Sequence, residues 1–135
     1  MAVTELWAFP VPATKVMKGP FFVPSSRREC EISFIIEAED DTLRRVALLF
    51  EGVEAYKCTY LTSISAEMFN TAYARIVRLD ESYWMTQILK VYGSPKYHRP
   101  ELQHLMVCFD DGPCYEVICT NVNVFKENHT PVEHL

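Results

Sequence analysis

The segment from His104 to Cys119, HLMVCFDDGPCYEVIC, constrains the fold more than any other part of this chain. Two apolar runs flank Asp-Asp-Gly-Pro, an arrangement that is typical of a β-hairpin closed by a tight turn. With the turn at the Asp-Gly step, His104 lies opposite Cys119. The sequence therefore predicts a terminal antiparallel pair, with strands over 102–109 and 114–124.

Alternation of apolar and polar side chains predicts three further strands earlier in the chain: Cys30–Glu39, Leu43–Phe50 and Val53–Leu61. A three-residue loop over 40–42 sets Val46 opposite Ile36, so that the apolar faces of the first two strands coincide. A sheet with one strongly apolar face needs another layer of structure to cover that face.

Residues 66–92, between the two groups of strands, carry a helical pattern. Ser65 suits an N-cap, and apolar residues recur at helical spacing from Met68 to Val77. Asp80 interrupts that stripe, so we expect it to cap a second helix that ends near Gly93. The segment is predicted to form a helical hairpin that packs on one face of the sheet.

These elements follow one another as β-β-β-α-α-β-β, which predicts an α+β fold with a mostly antiparallel sheet of about five strands. Residues 30–125 are expected to form this single domain. Residues 1–29 hold four prolines among large apolar side chains and are expected to form an extended arm packed on the domain. Packing of that arm on a second subunit would instead make a homodimer. Residues 126–135 are expected to be a polar, frayed C-terminus.

The charge and the cysteine count exclude several classes of protein. The chain has 18 acidic and 13 basic residues, a net charge of −5, whereas a nucleic-acid-binding surface needs clustered positive charge. No apolar run approaches the ~20 residues of a membrane span, and we expect no secretory signal in the N-terminal segment, which lacks a basic region and a long apolar core. The five cysteines are an odd number, so we expect reduced thiols and a cytoplasmic protein.

The sequence predicts no catalytic residue, metal site or cofactor. His104, Cys108 and Cys119 share one face of the predicted hairpin. His104 and Cys108 are nevertheless roughly 13 Å apart along a strand, whereas zinc ligands lie only ~2 Å from the ion. The predicted register puts Glu116 on the opposite face, where it does not orient His104 as a base. The chain also lacks the Gly-x-Ser-x-Gly, P-loop and Gly-x-Gly-x-x-Gly motifs.

Amphipathic side chains supply the candidate binding residues, because tyrosine and histidine combine an apolar body with a polar tip. The candidates are Tyr56, Tyr60, Tyr97, His98, His104, Tyr115 and Glu116. The sequence favours a small non-enzymatic binding or interaction protein, and its acidity fits one that masks a basic protein partner. One example of such a protein is an immunity protein that masks a basic toxin, an analogy that rests on size and charge alone. The alternative is a small-molecule-binding protein or enzyme with a cleft near the C-terminal hairpin.

Overall fold

The computed structural model of the chain describes residues 2–90 and 101–128. Within these residues the fold has nine strands and two short helices. The strands are β1 (Val3–Ala8), β2 (Val16–Ser25), β3 (Glu29–Glu37), β4 (Leu43–Glu51), β5 (Ala55–Thr59), β6 (Arg75–Leu79), β7 (Gln103–Cys108), β8 (Cys114–Cys119) and β9 (Asn121–Asn128). The helices are α1 (Ala66–Ala72) and α2 (Tyr83–Leu89). Two further short turns of 3-10 helix cover Ala13–Lys15 and Leu61–Ser63.

The strands form two antiparallel sheets. The five-stranded sheet has the order β1-β6-β7-β8-β5, and the four-stranded sheet has the order β2-β3-β4-β9. Both sheets contribute alternate side chains to one apolar core, which includes Phe34 and Leu48 from the four-stranded sheet and Val107 and Val117 from the five-stranded sheet. The two sheets therefore pack face to face, because only one side of each pleated strand faces this core.

The helices cover the outer face of the five-stranded sheet. Ala72 of α1 is fully buried in a second apolar cluster with Val77, Met106, Cys108 and Cys114, which point away from the main core. The predicted packing of two helices on one sheet face is therefore observed. No helix within the described residues is long and apolar enough to cross a membrane.

The α+β class and the mostly antiparallel pairing are confirmed, but the strand count is nine and the predicted helical hairpin is interrupted. Residues 75–79, which we assigned to a helix, form β6 between α1 and α2. Ile76 faces the core between the sheets, and Val77 lies in the cluster that includes α1. Because both faces of β6 are buried, its sequence lacks strand alternation and resembles a helical stripe. The second helix is capped by Ser82, not by Asp80.

The N-terminal arm supplies an edge strand to each sheet. β1 pairs with β6, and β2 pairs with β3, within the same chain. Between them, the ring of Phe9 stacks on Phe34 at a centroid distance of 4.9 Å and meets Phe109 at 5.3 Å. The arm is thus joined to both sheets by backbone pairing and by ring contacts.

The last predicted strand, 114–124, divides at Thr120. β8 lies inside the five-stranded sheet, whereas β9 lies at the edge of the four-stranded sheet and extends to Asn128, past the point where we expected the chain to fray. The Thr120 amide and hydroxyl both donate to the Glu51 carbonyl, at 3.0 and 3.1 Å. These two bonds fix the point at which the chain passes from one sheet to the other.

The two predicted hairpin registers differ from the structure in different ways. In β3–β4, Val46 lies opposite Phe34 rather than Ile36, a shift of two residues that leaves every side chain on its predicted face. In β7–β8, His104 lies opposite Ile118 and Cys108 opposite Cys114, a shift of one residue. This single step moves Glu116 and Cys114 onto the face of His104 and moves Cys119 off it.

Candidate functional site

His104 and Glu116 lie side by side on the outer face of the five-stranded sheet. The His104 Nε2 atom is 2.9 Å from Glu116 Oε1, and His104 is only 4% exposed. Their positions follow from the register, because Glu116 is diagonal to His104 across β7–β8. The prediction that Glu116 faces away from His104 was wrong, since the one-residue shift brings them together.

Ser82 and Trp84 complete the surroundings of His104. The Ser82 hydroxyl lies 2.6 Å from His104 Nδ1, and the Trp84 ring meets the imidazole edge-on at 5.2 Å. Lys57, the β5 neighbour of Glu116, places its ammonium 4.0 Å from the Trp84 ring centroid. We call these residues the histidine cluster: Lys57, Ser82, Trp84, His104 and Glu116.

The hydrogen bonds of the histidine cluster connect α2, the imidazole and the carboxylate. A carboxylate only accepts, so His104 Nε2–H donates to Glu116. In a neutral imidazole Nδ1 is then an acceptor, and the Ser82 hydroxyl, which accepts the Met85 amide at 3.0 Å as the N-cap of α2, donates its proton to Nδ1. The chain of bonds fastens α2 to the sheet, and it is also the arrangement of hydroxyl, base and orienting carboxylate that nucleophilic catalysis uses.

The predicted tyrosines lie elsewhere. Tyr115 stacks on Phe22 between the sheets, and burial raises the pKa of its hydroxyl to about 12. Tyr56 meets the same Phe22 ring edge-on at 4.8 Å and is partly exposed at the rim of the core. Tyr60 is exposed just after β5. The structure therefore brings His104 and Glu116 together, and of the candidate tyrosines that it describes, none lies beside them.

Tyr97 and His98 lie outside the described residues. The structure does contain a cleft between the arm and the sheet, a cavity of about 380 Å³ beside residues 10–11 and the β3–β4 hairpin. Arg44 and Lys126 line it together with acidic side chains. None of the predicted site residues that the structure describes lines this cavity.

Three of the buried cysteines, Cys30, Cys114 and Cys119, are held as protonated thiols. Burial raises the pKa of Cys30 and of Cys119 to about 12. A hydrogen bond with the Cys108 thiol, together with burial, raises the pKa of Cys114. Of the five cysteines, Cys58 alone is exposed. Because thiolates rather than thiols are the nucleophiles, Cys30, Cys114 and Cys119 are poorly suited to reaction.

A second surface lies on the outer face of the four-stranded sheet. Phe21, Ser33, Ala47 and Phe125 are successive partners across β2, β3, β4 and β9 and form one transverse row. Phe21 is 53% exposed and Phe125 is 48% exposed, while Ser33 and Ala47 are buried between them. The strands that carry the two phenylalanines are roughly 14 Å apart, since neighbouring strands are ~4.8 Å apart. The row therefore presents two exposed aromatic rings on either side of two covered small residues.

The neighbouring row extends this apolar surface. Val23, which is 58% exposed, is followed across the sheet by Glu31, Leu49 and Asn123. We call the two rows together the phenylalanine face: Phe21, Val23, Glu31, Ser33, Ala47, Leu49, Asn123 and Phe125.

Acidic groups border the phenylalanine face at one end. Glu29 and Glu51 are direct partners across β3–β4, one row beyond Glu31. Like charges in directly opposite positions destabilise a sheet. The amides of Asn121 and Asn123 donate to the Glu51 carboxylate and relieve part of this repulsion. Arg45, at the far end, reaches across the Ser33–Ala47 row to pair with Glu31 at 3.1 Å, and it also pairs with Glu127 at 3.6 Å.

Sequence reasoning missed Ser82, Lys57 and Trp84, and it missed both exposed rings of the phenylalanine face. The run Phe21-Phe22-Val23 was a usable signal, since three consecutive apolar residues in a strand place apolar groups on both of its faces. Ser82 precedes Met85 by three residues, the spacing of an N-cap to the amide that it accepts. No signal in the sequence connects Ser82 with His104, because that contact depends on the β7–β8 register.

The chain matches no protein-family model, no curated protein and no solved structure in the three comparisons with known proteins.

Proposed function

We propose that this chain is a small non-enzymatic binding protein and that a protein partner docks on the phenylalanine face. The observation that carries the proposal is the row in which Phe21 and Phe125, each about half exposed, flank the buried Ser33 and Ala47. Single exposed apolar residues are ordinary, but contiguous apolar patches bordered by polar groups are typical of interaction sites. Aromatic side chains are also enriched at the centre of protein interfaces.

The proposal is tested by comparing the full chain with a variant that removes both exposed rings, Phe21→Ser with Phe125→Ser. Proteins captured from the native source by the unaltered chain are purified and mixed with it again. Hydrogen exchange then maps the contact. We expect a partner that the double variant does not bind, with slowed exchange in β2 and β9.

The matched control is Tyr83→Ser, which removes an aromatic side chain that is 77% exposed on α2, away from the phenylalanine face. This variant keeps the partner if the proposal holds. A purified partner that binds the double variant as tightly as the unaltered chain, or that slows exchange only around Ser82 and His104, contradicts the proposal.

The histidine cluster favours a second candidate function, an enzyme that transfers acyl groups through Ser82. In that reaction the Ser82 oxygen attacks a carbonyl carbon while its proton passes to His104 Nδ1. The Glu116 carboxylate stabilises the imidazolium that forms. The proton then moves to the leaving alcohol, and water releases the acyl group. The 2.6 Å and 2.9 Å hydrogen bonds on either side of the imidazole support this candidate.

A fluorophosphonate probe distinguishes the two functions. If Ser82 is a nucleophile, the probe labels the folded chain at Ser82, and Ser82→Ala abolishes the labelling. Ser65→Ala is the control, because Ser65 caps α1 in the same way, and among the described residues its hydroxyl has no hydrogen bond with a histidine. Absence of labelling on the folded chain contradicts the enzymatic candidate.

We also propose a cytoplasmic location and no nucleic-acid partner. The five free cysteines and the net charge of −5 support these two expectations. The homodimer through residues 1–29 is less well supported, since both arm strands already pair within their own chain. A sedimentation measurement checks it, and a stable dimer would favour the exchange of arms.

A further inference from the structure

The cavity between the arm and the four-stranded sheet has apolar walls. Pro10 and Val11 line it from the arm, and Ile36 and Val46, which belong to the main core, line it from the sheet. Its volume of about 380 Å³ lies at the small end of the range for ligand pockets. The cavity therefore has room for a small ligand whose apolar part lies beside the core.

Two cations face the cavity because the register turns them toward the inside of the sheet. Lys126 is the direct partner of Val46, and Arg44 is the direct partner of Ile36, so both lie on the core-facing side. Val124, two residues earlier on the same face of β9, is apolar and packs against the core. The inner face of the sheet therefore changes from apolar to basic at the cavity.

Four charged side chains line the cavity, and two of them are paired with each other. Asp40 and Arg44 form an ion pair at 3.3 Å, and hydrogen bonds from Thr42, together with Arg44, hold the pKa of Asp40 below its usual value. Glu39 and Lys126 also line the cavity, but neither forms an ion pair with a residue that the structure describes. One carboxylate and one ammonium are therefore left for a ligand to neutralise.

We propose that this cavity binds a free α-amino acid with an apolar side chain. The carboxylate of the amino acid pairs with Lys126, its ammonium pairs with Glu39, and its side chain lies against Val11 and Val46. A ligand with only a carboxylate would leave Glu39 without a counter-charge, and a ligand with only an amine would leave Lys126 without one. The site lies on the opposite side of the four-stranded sheet from the phenylalanine face, so it goes beyond the function proposed above.

The test titrates the full chain, by calorimetry, with leucine and with its two truncated analogues. Isocaproate lacks the amine of leucine, and isoamylamine lacks the carboxylate. We expect leucine to bind at least about tenfold more tightly than either analogue, because each analogue loses one ion pair with the cavity. The methyl NMR signals of Val11, Ile36 and Val46 should shift when leucine binds, since these residues line the cavity.

Two variants assign the ion pairs. Lys126→Gln should weaken leucine binding by about tenfold and leave the affinity for isoamylamine unchanged, whereas Glu39→Gln should weaken leucine binding equally and leave the affinity for isocaproate unchanged. Lys18→Gln and Glu81→Gln are matched losses of charge at exposed positions that do not line the cavity, and they should leave leucine binding unchanged.

Three results would overturn the inference. The first is the absence of saturable leucine binding up to about 10 mM. The second is an affinity for isocaproate or isoamylamine equal to that for leucine, which would mean that the cavity does not recognise a zwitterion. The third is leucine binding that Lys126→Gln leaves unchanged. None of these results bears on the docking of a protein partner, which is tested separately on the phenylalanine face.

Discussion

The hydroxyl of Ser82 is shared between helix α2 and His104. It accepts the Met85 amide at 3.0 Å and lies 2.6 Å from the His104 Nδ1 atom, which the sheet buries. A single hydroxyl therefore satisfies one amide at the beginning of the helix and one acceptor on a buried ring. Because buried polar groups are costly when they lack partners, this relationship has a measurable energetic consequence.

Ser82→Ala is expected to lower the free energy of unfolding by about 2–3 kcal/mol, the sum of a lost N-cap and an unpaired buried imidazole nitrogen. Ser65→Ala removes the same type of cap from α1, where the hydroxyl accepts the Met68 amide at 3.1 Å, and should cost about 1 kcal/mol. Urea unfolding of both variants measures the difference. Equal losses would mean that the histidine bond adds nothing to stability.

The stability of the protein should fall as the pH rises from about 9 toward 12. The folded state holds the thiols of Cys30 and Cys119 protonated, with pKa values raised by burial from 9.0 to about 12, so above pH 9 the unfolded chain binds fewer protons than the folded chain. Each thiol then costs at most roughly 1.4 kcal/mol per pH unit. Urea unfolding between pH 8 and 10.5 measures this slope. A variant with both cysteines replaced by alanine should show a weaker slope, and an unchanged slope would contradict the assignment.

A single thiol should react quickly with a disulfide reagent such as Ellman's reagent. Cys58 is exposed, and the other four cysteines are buried, so their reaction requires the chain to open. We expect one equivalent of rapid release and four equivalents that are at least about a hundredfold slower. Cys58→Ser should remove the rapid phase. Two or more rapid equivalents in that assay would show that the β7–β8 cysteines are accessible.

The N-terminal arm should contribute strongly to stability through Phe9. Phe9→Ala removes a ring that contacts Phe34 and Phe109 in the core and should cost about 3 kcal/mol. Leu6→Ala, in the same arm but 39% exposed, should cost less than about 1 kcal/mol. Chemical unfolding of the two variants provides the comparison. Similar small losses for both would indicate that the arm is only loosely attached.

The fold class was predictable because alternation along β3, β4, β7 and β8 reports which face of each strand is buried. Alternation has a period of two, so an error of two residues in the β3–β4 register left Arg45 and Val46 on the correct faces. The loop spans five residues, 38–42, rather than the predicted three, and the Ala38 amide donates to the Thr42 carbonyl within it. The two additional loop residues account for the two-residue shift in register.

The histidine cluster was not predictable for the same physical reason. An error of one residue in the β7–β8 register moves every side chain of one strand to the other face of the sheet relative to its partner strand. The predicted turn at Asp111-Gly112 gives a register that is wrong by one residue. In the structure Cys108 pairs with Cys114, and the Gly112 amide bonds back to the Phe109 carbonyl inside a longer turn. The predicted register therefore places Glu116 on the wrong face, although His104 and Glu116 are both among the candidate binding residues.

The sequence pattern did not predict β6, because both faces of this strand are buried. Ile76 and Val77 face different apolar clusters, so polarity does not alternate between them, and the helical pattern from Met68 continued across them. The chain leaves α1 at Ala74, where φ is 56°, a conformation that ends helices but is seldom occupied by alanine. Glycine at that position would have marked the boundary.

The junction at Thr120 links the two candidate surfaces mechanically. Glu116 and Phe125 lie on opposite sides of the molecule, yet they belong to one nearly continuous length of chain that is clamped to the Glu51 carbonyl midway. A force that a bound molecule applied to β9 would be taken up first by the pairing of β9 with β4 and then by this clamp, before it reached β8. Thr120 is consequently the point at which strain from one side would be either absorbed or passed to the other.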